Sequence, residues 1–187
     1  MPAPPPAPSS APRRNLELKV RVSPKTLEHL RALASSIADG PSEQQHQDDR
    51  YFRVPEGRLK LRAITDDTGV SRAELIAYRR PDAAGSRWSA YRIAQLEAGQ
   101  AQDLAETLGH VLRPLARVRK RREVLLHGAT RIPLDQVEGL GAFVELETVV
   151  MHQNATSAEQ EHRRVIAALG LDAASRGRLL QRPARIR

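Results

Sequence analysis

The chain has 187 residues, with 30 Lys and Arg against 22 Asp and Glu, and no cysteine. That composition excludes a disulfide scaffold, a Cys-ligated zinc site and a thiol nucleophile, so the fold must rest on its core. The formal net charge is +8 and only four lysines contribute to it, Lys19, Lys25, Lys60 and Lys120, so the charge is almost all guanidinium and implies an anionic partner.

Residues 1–14 hold six of the thirteen prolines. They read as a disordered Pro-rich tail, because proline supplies no ladder donor and the stretch has no periodic apolar face. Over 16–22, Leu16, Leu18, Val20 and Val22 alternate with Glu17, Lys19 and Arg21. Period two predicts a strand. Ser23-Pro24 is an N-cap followed by Pro at the first helical position, and Leu27, Leu30, Leu33, Ala34 and Ile37 form one stripe before Gly40. This predicts a helix.

Residues 41–50 are polar and offer nothing apolar to bury, so they read as a loop or the frayed start of a second strand. Residues 51–55 and the alternating run Arg58-Leu59-Lys60-Leu61-Arg62 form a hairpin around Glu56-Gly57. Two further strands are expected at 74–80 and 87–93. A helix follows over 103–112 with Asp103 as its cap, then strands at 117–127, 131–137 and 143–151. The last block runs from Thr156, with Glu159 completing a capping box, towards Leu169. Residues 172–180 read as a further short helix and 182–187 as a loose basic tail. Seven or eight strands joined mainly by short turns suit an antiparallel sheet, curled or closed; a parallel sheet would need a helix at nearly every crossover. No stretch approaches the ~18 apolar residues of a membrane span, and residues 1–15 lack the apolar segment of a secretory signal, so a cytoplasmic protein is expected.

On any one strand, charged residues opposite the apolar set mean only a solvated face. Here the arrangement repeats: Glu17, Lys19 and Arg21; Arg58, Lys60 and Arg62; Lys120 and Arg122, or their neighbours Arg119 and Arg121; Arg131 and Asp135; Glu145 and Glu147. A closed sheet with these faces inward would bring ions from at least five strands into one channel. A dry, empty channel of that kind is untenable, because each desolvated ion costs several kcal/mol. The basic set suits a polyanion, each guanidinium offering a fork to phosphoryl oxygens. The acidic set suits a hard divalent cation such as Mg²⁺ or Mn²⁺.

The order of motifs resembles the CYTH family, the triphosphate tunnel metalloenzymes that include class IV adenylate cyclases and thiamine triphosphatases. Asn15-Leu16-Glu17-Leu18-Lys19 matches the family's N-terminal Glu-x-Glu-x-Lys at two of three key positions. Tyr51-Phe52 with Gly57 to Arg62, Tyr78-Arg79-Arg80-Pro81, Val118 to Glu123, Leu134-Asp135 and Phe143-Val144-Glu145-Leu146-Glu147 follow in the family's order. The blocks around Arg62 and Arg122 are most similar to the class IV cyclase-like branch.

The resemblance implies an α+β fold, mainly antiparallel β: a closed eight-stranded barrel with helices outside, spanning residues 15–181 as one domain. It implies Glu17, Asp135, Glu145 and Glu147 as ligands of Mg²⁺ or Mn²⁺. Lys19, Lys60, Arg62, Arg79, Lys120 and Arg122 would hold phosphates, with Arg21 and Arg131 as weaker members and Lys60, Arg62 and Arg79 neutralising charge in the reaction. The expected substrate is a nucleoside triphosphate or inorganic polyphosphate, cleaved at a phosphoanhydride bond by a monomer or homodimer. One departure stands out: Asn15 replaces the first signature Glu, losing one negative charge.

Two other classes compete with the enzyme. A polyphosphate-binding module without catalysis would keep the basic tunnel and lose the metal. A nucleic-acid binder would use the C-terminal Arg176, Arg178, Arg182, Arg185 and Arg187, but stacking aromatics are scarce there and Glu145 and Glu147 interrupt any basic groove. The histidines lack metal-ligand spacing, Trp88 and Tyr91 read as packing residues, and Asp48 and Asp49 as loop charges.

Overall fold

The computed structural model describes residues 12–82, 84–150 and 154–172. The elements are β1 (Arg13–Val22), α1 (Pro24–Ile37), β2 (Glu43–Phe52), β3 (Arg58–Asp66), β4 (Ser71–Arg79), β5 (Arg87–Glu97), α2 (Gln100–Val111), β6 (Pro114–His127), β7 (Thr130–Val137), β8 (Gly141–Val150) and α3 (Ala155–Ala168). The strands close into an antiparallel barrel in the order β1-β5-β4-β3-β2-β6-β7-β8. β1 joins β8 through nine residue pairs but meets β5 through only five. The expected tail at 1–14 lies outside the described residues up to residue 11 and is corrected at its end, where Arg13 and Arg14 already belong to β1; the expected helix at 172–180 and the basic end at 182–187 fall almost wholly outside the described residues.

The apolar core lies outside the barrel wall. Leu18, Val20 and Val22 of β1, Ile132 and Leu134 of β7 and Val144 and Leu146 of β8 pack under Leu27, Leu30 and Ala34 of α1 and Val165 of α3. On the other side α2 seats Ala105, Leu104 and Leu108 on Phe52, Leu59, Leu61, Leu75 and Leu96. Strand alternation then sends the residues between them, Lys19, Lys60 and Arg62 among them, towards the barrel axis.

Three local expectations are corrected. The polar stretch 41–50, expected as a loop or the frayed start of a strand, is from Glu43 onward an ordered part of β2, carrying Gln45 and Gln47 buried at 3% and 4% exposure. α2 starts at Gln100, so Asp103 sits in its first turn rather than capping it. Asn154, not Thr156, caps α3, accepting from the Ser157 amide at 2.9 Å. Ser23 caps α1 as read, accepting from Thr26 N at 3.1 Å. Gly57, at φ 71°, turns β2 into β3 where any Cβ would meet the Tyr78 carbonyl at 2.8 Å, so only glycine fits both the backbone and the space.

Candidate functional site

The barrel interior is built from two copies of one arrangement. On β3, Lys60 and Arg62 face inward, and Arg62 stands opposite Asp49 of β2. Arg62 donates to both Asp49 oxygens, at 2.7 and 2.8 Å, and Lys60 adds a bond at 2.9 Å. On β6, Lys120 and Arg122 repeat this opposite Asp135 of β7. Arg122 reaches both Asp135 oxygens at 2.6 and 2.7 Å, with Lys120 at 3.0 Å. Each is a Lys-x-Arg pair fastened by an aspartate on the neighbouring strand.

More carboxylates gather around the second pair. Glu145 accepts from Arg122 Nη2 at 2.9 Å and also from Lys19. Glu147 lies 3.5 Å from Arg122 Nη1 and 3.9 Å from Arg131. Glu17, directly across from Glu147, accepts from Arg80 at 2.5 Å. Tyr78 is flanked by the guanidinium groups of Arg58 and Arg80, 5.8 and 5.6 Å from its ring centre, and Tyr51 faces Lys60 at 5.6 Å.

These contacts decide the ionisation states. Burial alone would raise the Asp49 carboxyl, but Arg62 and Lys60 outweigh it and hold it well below the usual carboxylate range. Glu145 is likewise held down, against burial, by Lys19 and Arg122. Lys19 keeps its proton more firmly than usual because Glu145 and Asp135 overcome its desolvation. Lys120 goes the other way: burial, reinforced by the neighbouring Arg122 charge, pushes it down to about 7.

Of the residues expected from sequence, Lys19, Lys60, Arg62, Lys120, Arg122, Arg131, Glu17, Asp135, Glu145 and Glu147 converge on this interior. Arg21 stands opposite Phe143, two places along β1 from Lys19. The register of the basic run at 119–122 is fixed, with Lys120 and Arg122 inward. Arg79 is corrected: it lies outside, three-quarters exposed, and pairs with Glu56, while Arg80 takes the inward place beside Glu17. A one-residue error in strand parity exchanges the two faces. Asp49 is the other residue the sequence reading missed. It is 2% exposed, and its spacing of two from inward Tyr51 was the available signal.

The donor set can be tested against a divalent cation. Among the described residues no three carboxylate or imidazole groups converge on one point, because their oxygens are engaged by lysine and arginine. Their chemistry still fits a hard cation: Glu17, Glu145 and Glu147 occupy adjoining inward positions of β1 and β8, and on the same strip Asn15 Oδ1 is buried with no hydrogen-bond partner. Asp135 fits less well, being wholly buried with both oxygens bound by Lys120 and Arg122.

A cavity of about 520 Å³ lies elsewhere. Its rim is formed chiefly by outward side chains of β2, β3, β6 and β7, including His46, Asp48, Arg119 and Arg121, on wall that α1 and α2 leave uncovered. Inward-facing Gln47 and Lys120 also line it, so the concavity borders one of the charge pairs.

The family model of the CYTH domain matches residues 13–176. The chain belongs to the CYTH family. Among curated proteins, none matches the sequence significantly. A Pyrococcus horikoshii protein of solved structure resembles this CYTH chain with a TM-score of 0.64 at 19% identity, over 86% of this chain and 93% of its own. A Hippeastrum protein, described as a candidate adenylyl cyclase with a dominant triphosphatase activity, matches with a TM-score of 0.58 at 15% identity, over 89% and 97%. The Schizosaccharomyces pombe Mediator head module contains a chain with a TM-score of 0.64 at 15% identity, over 84% and 95%. At these identities the likeness is one of fold. The fold does not by itself supply a function, and the charged interior is a property of this chain's own residues.

Proposed function

We propose that this CYTH protein is a divalent-metal-dependent enzyme that grips a triphosphate in its tunnel and cleaves a phosphoanhydride bond, as a triphosphate hydrolase or a class IV-like adenylate cyclase. The observation that carries the reading is the pair of Lys-x-Arg units, Lys60 with Arg62 and Lys120 with Arg122, each held by a buried aspartate. Guanidinium and ammonium groups pre-oriented on rigid strands suit phosphoryl oxygens, and they need little reorganisation as charge develops on them.

Lys60, Arg62 and Arg80, with Lys19, Lys120, Arg122 and Arg131, bind and orient the phosphates. Glu17, Glu145 and Glu147, with Asn15, would hold Mg²⁺ or Mn²⁺. The cation supplies Lewis-acid polarisation of phosphoryl oxygens when bound. Asp49 and Asp135 keep Arg62 and Arg122 aimed along the axis. The barrel wall excludes bulk water from the grip, which strengthens each charge contact. The acceptor of the transferred group is water in a hydrolase and a ribose hydroxyl in a cyclase.

The test is a product assay with ATP and with tripolyphosphate, each with Mg²⁺ and with Mn²⁺. Cyclic AMP with pyrophosphate identifies a cyclase, and orthophosphate a hydrolase. Tight tripolyphosphate binding with no product in any of the four would replace the enzyme with a polyphosphate-binding module, the reading that Asn15 and the fully paired carboxylates favour. Within the enzyme reading, Glu145→Gln and Glu147→Gln abolish metal-dependent turnover; wild-type turnover in either would overturn the metal assignment.

A further inference from the structure

The two Lys-x-Arg units share a plan and differ in surroundings. Arg62 has one carboxylate within ion-pair distance, Asp49, while Glu74 stands opposite it on β4 without an ion pair to it. Its Nε and Nη2 bind Asp49, and among the described residues Nη1 has no protein partner. Arg122 has three carboxylates around it. Nε and Nη2 bind Asp135, Nη2 also binds Glu145, and Nη1 faces Glu147 at 3.5 Å. Every nitrogen of Arg122 is directed at a protein anion, and its side chain is 3% exposed against 12% for Arg62.

A guanidinium whose Nε and Nη2 already donate to two carboxylates, and whose Nη1 faces a third, cannot take a phosphoryl oxygen without weakening one of those contacts, and a carboxylate released into a buried site is costly unless another cation receives it. Glu145 and Glu147 are also the two oxygen donors on adjoining inward positions of β8 that suit a hard divalent ion. We infer that the tunnel contains one open and one shut phosphate clamp: Lys60–Arg62 accepts phosphate in the metal-free protein, whereas Arg122 becomes available only when Glu145 and Glu147 turn to a divalent cation. The inference rests on the triphosphate reading above and adds an order to it, in which metal and polyphosphate bind with positive coupling because each takes one half of an existing ion pair.

The test is calorimetric titration of tripolyphosphate into the full chain, once in chelator and once with titrant and protein both saturated with Mg²⁺. In chelator, Arg62→Gln weakens binding at least about tenfold, the loss of a charge-assisted fork, and Arg122→Gln changes it less than about twofold. With Mg²⁺ both substitutions weaken it by about tenfold or more. The double variant Glu145→Gln/Glu147→Gln binds more tightly than wild type in chelator and gains nothing from Mg²⁺, and adding Arg122→Gln removes that increase. A misfolded tunnel would not gain affinity, so this arm separates clamp release from damage. Where a glutamine variant fails to fold, Arg62→Lys and Arg122→Lys keep the charge and lose the fork. Equal losses for Arg62→Gln and Arg122→Gln in chelator overturn the inference, as does an increase in the Glu145/Glu147 variant that persists without Arg122. If wild type binds no tripolyphosphate in either condition, the triphosphate reading itself fails.

Discussion

The two faces of the barrel wall hold the molecule together in different ways. Outside, leucine, valine and isoleucine from the strands pack against α1, α2 and α3, and the stabilisation is the non-directional gain from apolar burial. Inside, the same strands present lysine, arginine and carboxylates that are satisfied only as matched sets. The outer face can tolerate loss of volume at a graded cost, whereas the inner face fails by stranding an ion. Stability and ligand response should therefore separate according to which face is altered.

The largest effect is expected inside. Arg62→Ala leaves Asp49 buried without its main partner and should cost about 3–5 kcal/mol in urea unfolding, with a much reduced rise in melting temperature on adding tripolyphosphate. Outside, Leu30→Ala should cost about 2–5 kcal/mol, yet keep the full tripolyphosphate-dependent shift. If Leu30→Ala loses the shift, or Arg62→Ala keeps it, the division between the faces is broken.

A smaller effect lies where α3 docks on the outer wall. His162 is 1% exposed, bonded through Nδ1 to Thr148 at 2.9 Å and through Nε2 to Ser86 at 3.1 Å. Burial pushes it down to about 4. Between that value and the ordinary 6.5 the unfolded chain binds the extra proton, so this contribution to stability is present above 6.5 and fades as pH falls towards 4. The full amount is roughly 3 kcal/mol. In urea unfolding across pH 7 to 4.5, the stability advantage of wild type over His162→Asn should shrink as pH falls; a constant advantage would place its origin in packing. The smallest effect is expected at Arg79→Ala. Its ion pair with Glu56 is solvent-exposed, so turnover and stability should stay within about twofold and 0.5 kcal/mol of wild type, while Arg80→Ala depresses turnover.

Most of the fold was legible because period-two alternation survives whichever face is apolar. β1 and β3 announced themselves through Leu16, Leu18 and Val20 and through Leu59 and Leu61. β2 did not, since between Glu43 and Arg50 its inward residues are Gln45, Gln47 and Asp49, while its outward His46 and Asp48 lie on wall that none of the described helices covers. With neither face apolar, hydrophobic periodicity had nothing to report. The site showed the same strength and limit. Lys19, Lys60, Glu145 and Glu147 sit on strands whose leucines and valines fix the parity. Arg79 and Arg80 lie at the end of β4, after Ala77 and Tyr78, where no flanking apolar pair says which of two adjacent arginines points in. Asp49 had only its spacing of two from Tyr51 to mark it, and its pairing with Arg62 across the hairpin is not visible in local sequence.

The unequal joints of β1 bear on how the barrel breathes. Nine residue pairs tie it to β8 and only five to β5. A hoop under strain parts at its shortest weld. Amide exchange should therefore run fastest along the β1–β5 joint, where Asn15 faces Ser89, so water would reach the ion pairs sideways, between two staves, as well as through an end of the tunnel.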